Sequence, residues 1–350
     1  MKSAVVRSLD SRLDPRSMAI FKSLQDSGFE TFLLDWSPKA NGLFHKNYPK
    51  GRLYGRGLFN LSALVKFEFW VFQRLREIKP SVLVAIDSET FPAALSYKVF
   101  MKLKGINIFL ILDLADPLPQ KVNNPLLAYV AKVIENLFMR AANRTVFPSP
   151  SRIPKANKGD FLVVENVFIS QAHSQELRMI PKIKGRVFYG GLLLKDRGLH
   201  QLVQLIKENK NLDALVCGYG EMESYIVKCS QEEPRIQFIG SADFTQISRF
   251  RAASQFSWCW YDQTNVNNVR HASGKLIESF QVGSRPITNL PSSGWSNSIQ
   301  DLTSEAIQIQ DHNFALKIQD FLRLDQGLKY PRHILDTQTA YKSVFESQDV

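Results

Sequence analysis

Cysteine is scarce in this chain: Cys217, Cys229 and Cys259 are the only ones in 350 residues. An odd number without a Cys-x-x-Cys spacing excludes a disulfide scaffold and a zinc ribbon, and it suits a reducing compartment. The 6 histidines are scattered, and none has the spacing of a metal ligand set. Apolar runs stay short, and none reaches the roughly 18 uninterrupted residues of a membrane-spanning helix. Residues 1–16 lack an apolar stretch followed by a small-residue cleavage site. No signal peptide is therefore expected, and the chain should stay in the cytoplasm where it is made. A glycine-flanked serine elbow with its histidine and acid is missing too, which leaves hydrolase chemistry without support.

What is present suffices for a sizeable core. Hydrophobic residues make up 44% and charged residues 22%, a balance that excludes disorder and fibrous repeats. At about 100–200 residues per domain, the length favours two domains. The net charge of +11 is uneven: residues 1–150 hold 21 Lys/Arg against 12 Asp/Glu, and residues 151–350 hold 23 against 21. Its densest part is 39–56, where Lys39, Lys46, Lys50, Arg52 and Arg56 meet no acid among glycines and aromatics. That segment reads either as a solvated basic loop or as a surface for an anionic partner. Phospholipid headgroups or a pyrophosphate-linked acceptor suit it, and nucleic acid less so.

Short apolar runs rich in β-branched residues alternate with helical patterns, which argues for βαβ units and parallel sheets. Strands are predicted at Ala4–Arg7, Thr31–Asp35, Val82–Ile86, Ile108–Leu112, Thr145–Phe147 and Phe161–Val164. A polar connector over Gln171–Lys184 leads to a second series, at Arg186–Tyr189, Ala214–Cys217, Ile236–Ile239, Phe256–Trp260 and Pro286–Thr288. Helices fall between them, and Asp14-Pro15 opens the first with a capping carboxylate and a proline. The expectation is two Rossmann-like doubly wound α/β domains, 1–170 and 171–335, facing a central cleft. Helices over 312–324 and 336–347 would follow, with 336–350 a candidate for crossing back to the first domain. The helix predicted over 59–78 has apolar residues on more than one face. It either packs between sheet and neighbour or inserts its aromatic side into a bilayer surface.

Three segments point to anion binding. A strand ends in Gly190-Gly191, and Lys195, Arg197 and Gly198 follow at a helix start. Glycines there let backbone amides approach a phosphate, and a helix N-terminus favours an anion. Gly218-x-Gly220 is a tight strand-to-helix turn at the cleft, without the third glycine of a dinucleotide fingerprint. A helix beginning near Ser273-Gly274-Lys275 offers a second set of free amides, with His271 beside it. Glu278, one turn in, could accept hydrogen bonds from both hydroxyls of a ribose. In the first half, Asp87-Ser88-Glu89 is the nearest imitation of an Asp-x-Asp metal site, and it reads as cleft-facing polar residues with a chance of acceptor contact. Asp113 and Asp116 follow the next strand, where they would cap the following turn or contact acceptor hydroxyls.

The order Gly-Gly, Lys-Asp-Arg-Gly-Leu, Gly-x-Gly-Glu, Phe-Ile-Gly and Ser-Gly-Lys-Leu-Ile-Glu-Ser-Phe-x-x-Gly-x-Arg-Pro resembles the GT-B-fold glycosyltransferases of family 4. The likeness covers most of the second half in collinear order. It is weaker in the first half, at Asp14-Pro15-Arg16, Lys79-Pro80 and Glu165-Asn166. The resemblance implies a retaining, metal-independent transferase without cofactor, moving a sugar from a nucleotide-sugar donor to a glycan or lipid-linked acceptor at the cytoplasmic membrane face. It assigns Arg197 to the donor pyrophosphate, Glu278 to the ribose, and Ser273, Gly274 and Lys275 to a phosphate; Lys195 would add positive charge beside Arg197 to stabilise the leaving diphosphate. Two departures stand out. The family often has a second glutamate eight positions before this one, where the chain has Arg270, suited instead to a phosphate or an acidic sugar. The glycine-rich turn after the first strand is replaced by Ser8–Arg12, which would leave Arg12 or Arg16 facing the acceptor. The alternatives are a non-catalytic sugar-nucleotide-binding partner subunit and a GT-B-fold sugar-nucleotide epimerase.

Overall fold

Every strand in the computed structural model pairs in parallel with its neighbours. The structure describes residues 1–8, 14–36, 45–46, 61–122, 124–154, 159–264, 273–291, 295, 299–302, 306–308 and 336–346. The first sheet contains β1 (Lys2–Arg7), β2 (Glu30–Trp36), β3 (His45–Lys46), β4 (Val82–Ile86), β5 (Phe109–Asp113), β6 (Arg144–Phe147) and β7 (Phe161–Val163), in the order β3-β2-β1-β4-β5-β6-β7. The second contains β8 (Ile183–Gly190), β9 (Asp213–Cys217), β10 (Ile236–Phe238), β11 (Ser254–Cys259), β12 (Arg285–Thr288) and β13 (Ile307–Gln308), in the order β10-β9-β8-β11-β12-β13. Each order reverses once, between β1 and β4 and between β8 and β11. Ligands of doubly wound sheets bind outside the carboxyl ends of the strands at such a reversal. The central strands read as unbroken apolar runs because both faces are covered; all five residues of β4 are buried.

The chain divides into two units, Met1–Glu165 with Thr337–Val350, and Asn166–Asp336. In the first, α1 (Pro15–Asp26) covers one face of the sheet and α2 (Leu61–Ile78), α3 (Phe91–Lys102) and α4 (Pro125–Ala141) cover the other. In the second unit the helices are α5 (Gln171–Arg178), α6 (Leu199–Glu208), α7 (Glu223–Glu232), α8 (Phe244–Ala252) and α9 (Gly274–Gln281). The last helix, α10 (Thr337–Glu346), returns to α1, where Tyr341, Val344 and Phe345 share a core with Ile20 and Leu24. The cap of α1 was local enough to anticipate: Asp14 accepts from the Arg16 amide at the start of α1. Asn124 accepts from the amides of Leu126 and Leu127 ahead of Pro125.

Most predicted strands match the observed ones within a residue or two, and three elements differ. The connector over Gln171–Lys184 contains α5, capped by Ser170; its polar surface hid the helix. The short edge strands β3 and β13, two residues each, carry too little pattern to be predicted. The helix predicted over 59–78 is α2, and Phe67, Trp70, Val71, Leu75 and Ile78 lie in the core. Packing against the sheet therefore takes most of its apolar surface. Residues 312–324 and, apart from His45–Lys46, the basic segment 39–56 lie outside the described residues. Among the described residues no helix is long and apolar enough to cross a membrane.

On α2, Glu68 Oε2 accepts the Ala93 amide at 2.6 Å, while Oε1 is buried with no hydrogen-bond partner. Burial pushes this carboxyl from its ordinary 4.5 up to about 8. The folded state therefore holds a proton that the unfolded chain releases, so this group's contribution to stability falls as pH rises from about 4.5 to about 8. Glu68→Gln should abolish that part of the slope and raise the thermal midpoint at pH 8 by about 2–4 °C. Melting curves at pH 5 and pH 8 check it; an equal change at both would refute the titration.

Candidate active site

The loops after β8 and β9 touch through their backbones. The Gly191 amide donates to Cys217 O at 3.0 Å, and the Leu193 amide to Tyr219 O at 2.9 Å. This contact requires Gly218, whose φ is +146° and where a Cβ would collide with the Gly191 carbonyl. A side chain at Gly191, φ +135°, would meet the Lys275 ammonium at 3.0 Å. Gly190 ends β8, and Gly220 lies beside Leu193 in the second loop. The glycines at these strand ends thus serve first to seat the two loops on each other, and Gly191 also leaves room for a cation.

Arg197 and the start of α9 converge on the same strand ends. The Arg197 guanidinium lies 4.8 Å from the Tyr261 ring centroid, and its carbonyl accepts from Trp258 Nε1 at 3.1 Å. Tyr261, just past β11, exchanges a 2.8 Å hydrogen bond with Ser273 Oγ. Ser273 in turn caps α9 by accepting from the Leu276 amide. Lys275 places its ammonium 4.2 Å from the centre of the Tyr189 ring, at the end of β8. Among the described residues no carboxylate lies within ion-pair distance of it. Burial, followed by repulsion from Arg197, lowers its pKa to about 7. Burial likewise drives the Tyr261 hydroxyl up to about 12. Lys195 is exposed on the same turn as Arg197, and its amide donates to Glu221 at 3.0 Å.

Glu278 is buried on α9, where its Oε2 forms an ion pair with Arg251 of α8. Its charge acts on both Tyr261 and Lys275, as does that of Arg197, so Arg197 and Glu278 share one region of the unit. Sequence reasoning missed Tyr189, Tyr261 and Arg251. For Arg251 a signal existed: it shares a helical face with the buried Ser248 and Ala252. Arg270 and His271 lie outside the described residues.

In the first unit the strand ends carry a dense cluster of charges. Asp87, just past β4, has φ +65° and ψ 161°, a region nearly restricted to glycine and costing about 1–3 kcal/mol. Arg7 at 2.6 Å and Lys121 at 3.2 Å hold its carboxylate, which also accepts the Asp116 amide at 2.9 Å. Burial alone would raise the pKa of Asp87; Lys121 and Arg7 outweigh it and keep it well below the usual range. Lys121 also binds Glu89 at 3.0 Å. Arg16 pairs with Asp113 at 3.0 Å, yet burial still lifts Asp113 to about 6. The 3-10 turn Leu118–Lys121 is entered through Pro117, which supplies no side-chain cap. Asp116 lies 3.5 Å from Arg152. Among the candidate acceptor residues, Arg16, Asp87, Glu89 and Asp116 are thus each engaged by a neighbour, and Arg12 lies outside the described residues. Sequence reasoning missed Arg7, Lys121 and Arg152, which lie far along the chain from their partners.

No family model matches the chain, and no curated protein matches it in sequence. Solved structures do match. The UDP-GlcNAc 2-epimerase from Methanocaldococcus jannaschii aligns with a TM-score of 0.61, over 99% of this chain and 100% of its own, at 11% identity. The UDP-GlcNAc 2-epimerase from Neisseria meningitidis bound to UDP-GlcNAc gives 0.60 over 99% of both chains at 12% identity. An alpha-glucosyltransferase in complex with UDP gives 0.56, over 100% of this chain and 96% of its own, at 11% identity. At such identities the likeness shows the architecture: this is an α/β protein with two Rossmann-like parallel sheets, the GT-B fold.

Proposed function

We propose that the protein is a sugar-nucleotide enzyme, and specifically a glycosyltransferase whose donor diphosphate binds at the strand ends of the second unit. The observation carrying this reading is Lys275: an ammonium without a carboxylate partner among the described residues, held at the start of α9 with Arg197 acting on it. Two cations at a helix N-terminus suit a dianion. When the glycosyl–phosphate bond breaks, negative charge develops on the departing diphosphate while the sugar passes to an acceptor hydroxyl, whose proton leaves to that diphosphate. Arg197, Lys275 and the amides of the first turn of α9 would stabilise that charge more in the transition state than in the ground state. Lys195, exposed on the same turn, adds positive potential. The Glu278 carboxylate, held by Arg251, would accept hydrogen bonds from the ribose. By the resemblance of its second half, the enzyme would retain anomeric configuration and act on a glycan or lipid-linked acceptor.

A second reading, a sugar-nucleotide epimerase, is favoured by the epimerases among its structural neighbours. Two experiments separate the possibilities. A thermal-shift screen over nucleoside diphosphates should find one that raises the midpoint, since a ligand at about 100 times its Kd stabilises by about 2.7 kcal/mol. Incubation with radiolabelled nucleotide-sugars should then move label to a lipid or glycan extract. Conversion of the donor sugar without acceptor would establish the epimerase instead. Binding without turnover would point to a partner subunit, and no stabilisation by any diphosphate would refute all three.

A further inference from the structure

The turn that presents Arg197, Lys195–Arg197, is seated on the end of β11, where Trp258, Trp260, Tyr261 and Asp262 each touch it. Trp258 Nε1 donates to Arg197 O at 3.1 Å. The Trp260 ring lies almost parallel to that of Trp258, 7° apart with centroids at 5.7 Å. Gly198, φ +64°, rests against Trp260, where a Cβ would fall 2.2 Å from Cδ1 of the indole. The Asp262 amide donates to Asp196 O at 2.9 Å. These contacts hold the main chain of the turn, and the Arg197 guanidinium lies over the Tyr261 ring at 4.8 Å.

Tyr261 reaches the other half of the candidate site as well. Its hydroxyl exchanges a 2.8 Å hydrogen bond with Ser273, the cap of α9. Its own main chain is clasped from the next strand. The Tyr261 amide donates to Asn289 Oδ1 at 2.9 Å, and its carbonyl accepts from Asn289 Nδ2 at 2.7 Å. The ladder between β11 and β12 ends at Cys259 and Thr288, so the Asn289 amide extends it past the last strand residue. The ring itself is buried, at 3% exposure.

We propose that Tyr261 is a positioning residue for the diphosphate: it holds the Arg197 guanidinium and the capped start of α9 in one arrangement before the ligand arrives. An arginine loses rotamer freedom when it binds a phosphate, and one already resting on a fixed ring has given up much of that freedom on folding. Stacking on a ring face also leaves the N–H edge of a guanidinium for oxygen acceptors. The proposal rests on the diphosphate reading above and applies to a transferase and an epimerase alike.

Double-mutant cycles on nucleotide affinity test it. The probe is whichever of UDP, CDP, TDP, GDP and ADP most raises the thermal midpoint, titrated by calorimetry. Tyr261→Leu removes ring and hydroxyl and should weaken binding about tenfold. Tyr261→Phe keeps the buried ring, so it should melt close to the parent and weaken binding about two- to fivefold. An effect exerted through a partner vanishes when that partner is gone. R197A/Y261L should therefore bind like R197A/Y261F, and S273A/Y261F like Ser273→Ala. If alanine at 197 leaves no measurable binding, Arg197→Lys, which keeps the charge but not the planar fork, serves the same cycle. Losses that persist undiminished in both backgrounds would show a merely structural role and overturn the inference, as would parental affinity in Tyr261→Leu. A parent that binds none of the five diphosphates would refute the diphosphate reading and this inference with it, whereas a parent that binds while the cycles show no coupling refutes the positioning alone.

Discussion

Replacing Arg251 with alanine is expected to destabilise the protein by about 3–5 kcal/mol. The guanidinium is 3% exposed and the Glu278 carboxylate 7%, and they form an ion pair. Arg251 also lies 5.7 Å from the Phe188 ring centroid. Burying both charges costs desolvation that only their contact offsets. Truncating either leaves the other uncompensated, whereas replacing both with apolar groups of similar volume removes the cost altogether. R251M/E278L should therefore recover most of the stability lost in Arg251→Ala or Glu278→Ala. The same double variant separates packing from recognition. If Glu278 grips the ribose of a bound nucleotide, the refolded double variant still binds a nucleoside diphosphate weakly. Urea unfolding and calorimetric titration of the four proteins give both answers. Parental affinity in R251M/E278L would remove Glu278 from the site, and a loss below about 1 kcal/mol in Arg251→Ala would show the pair to be solvated.

Nucleoside diphosphate binding is expected to weaken as pH rises above about 7, by up to about tenfold per unit. Burial, and then repulsion from Arg197, lowers the Lys275 pKa to about 7. A diphosphate docked against it favours the ammonium, so binding takes up a proton wherever the free protein holds Lys275 neutral. Below pH 7 the dependence levels off because the lysine is charged before the ligand arrives. Folding has the opposite slope. Between about 7 and the ordinary 10.5 the unfolded chain holds the proton that the folded state has lost, so stability rises with pH across that window. Lys275→Met should flatten both profiles and weaken diphosphate binding about 10–100-fold, the magnitude of a charged hydrogen bond. Titration in two buffers of different ionisation enthalpy reads the proton directly. A pH-independent affinity that survives Lys275→Met would place the diphosphate elsewhere.

The candidate site was partly legible because some of its parts are local. A strand ending in Gly190-Gly191 and a helix opening at Ser273 are read from adjacent residues, since caps and tight turns are determined within a few positions. Tyr189 and Tyr261 carry no such mark. Tyr261 matters because it touches Arg197 and Ser273, and Tyr189 because Lys275 lies over its ring; those contacts span distant parts of the chain. Asp87 is a sharper case. As a sequence fragment, Asp-Ser-Glu looked like a weak metal motif. Its φ of +65° and its grip by Arg7 and Lys121 follow only from the packing of β1 beside β4.

Hydrophobic periodicity and turn chemistry, both properties of neighbouring residues, were enough to specify two series of parallel strands and the helices between them. They also gave the excess of positive charge in the first half, since charge needs only to be counted. Tertiary structure decided which charges are used inside the protein and which remain for a partner. It paired Arg16 with Asp113 inside the first unit. It sank Phe67 and Trp70 of α2 into the core while Phe69 stays exposed, and it left Leu126, Leu127 and Leu137 of α4 in water. The physical reason is that burial and pairing energies depend on distance in space, and sequence spacing specifies that distance only within a helix turn or a tight loop.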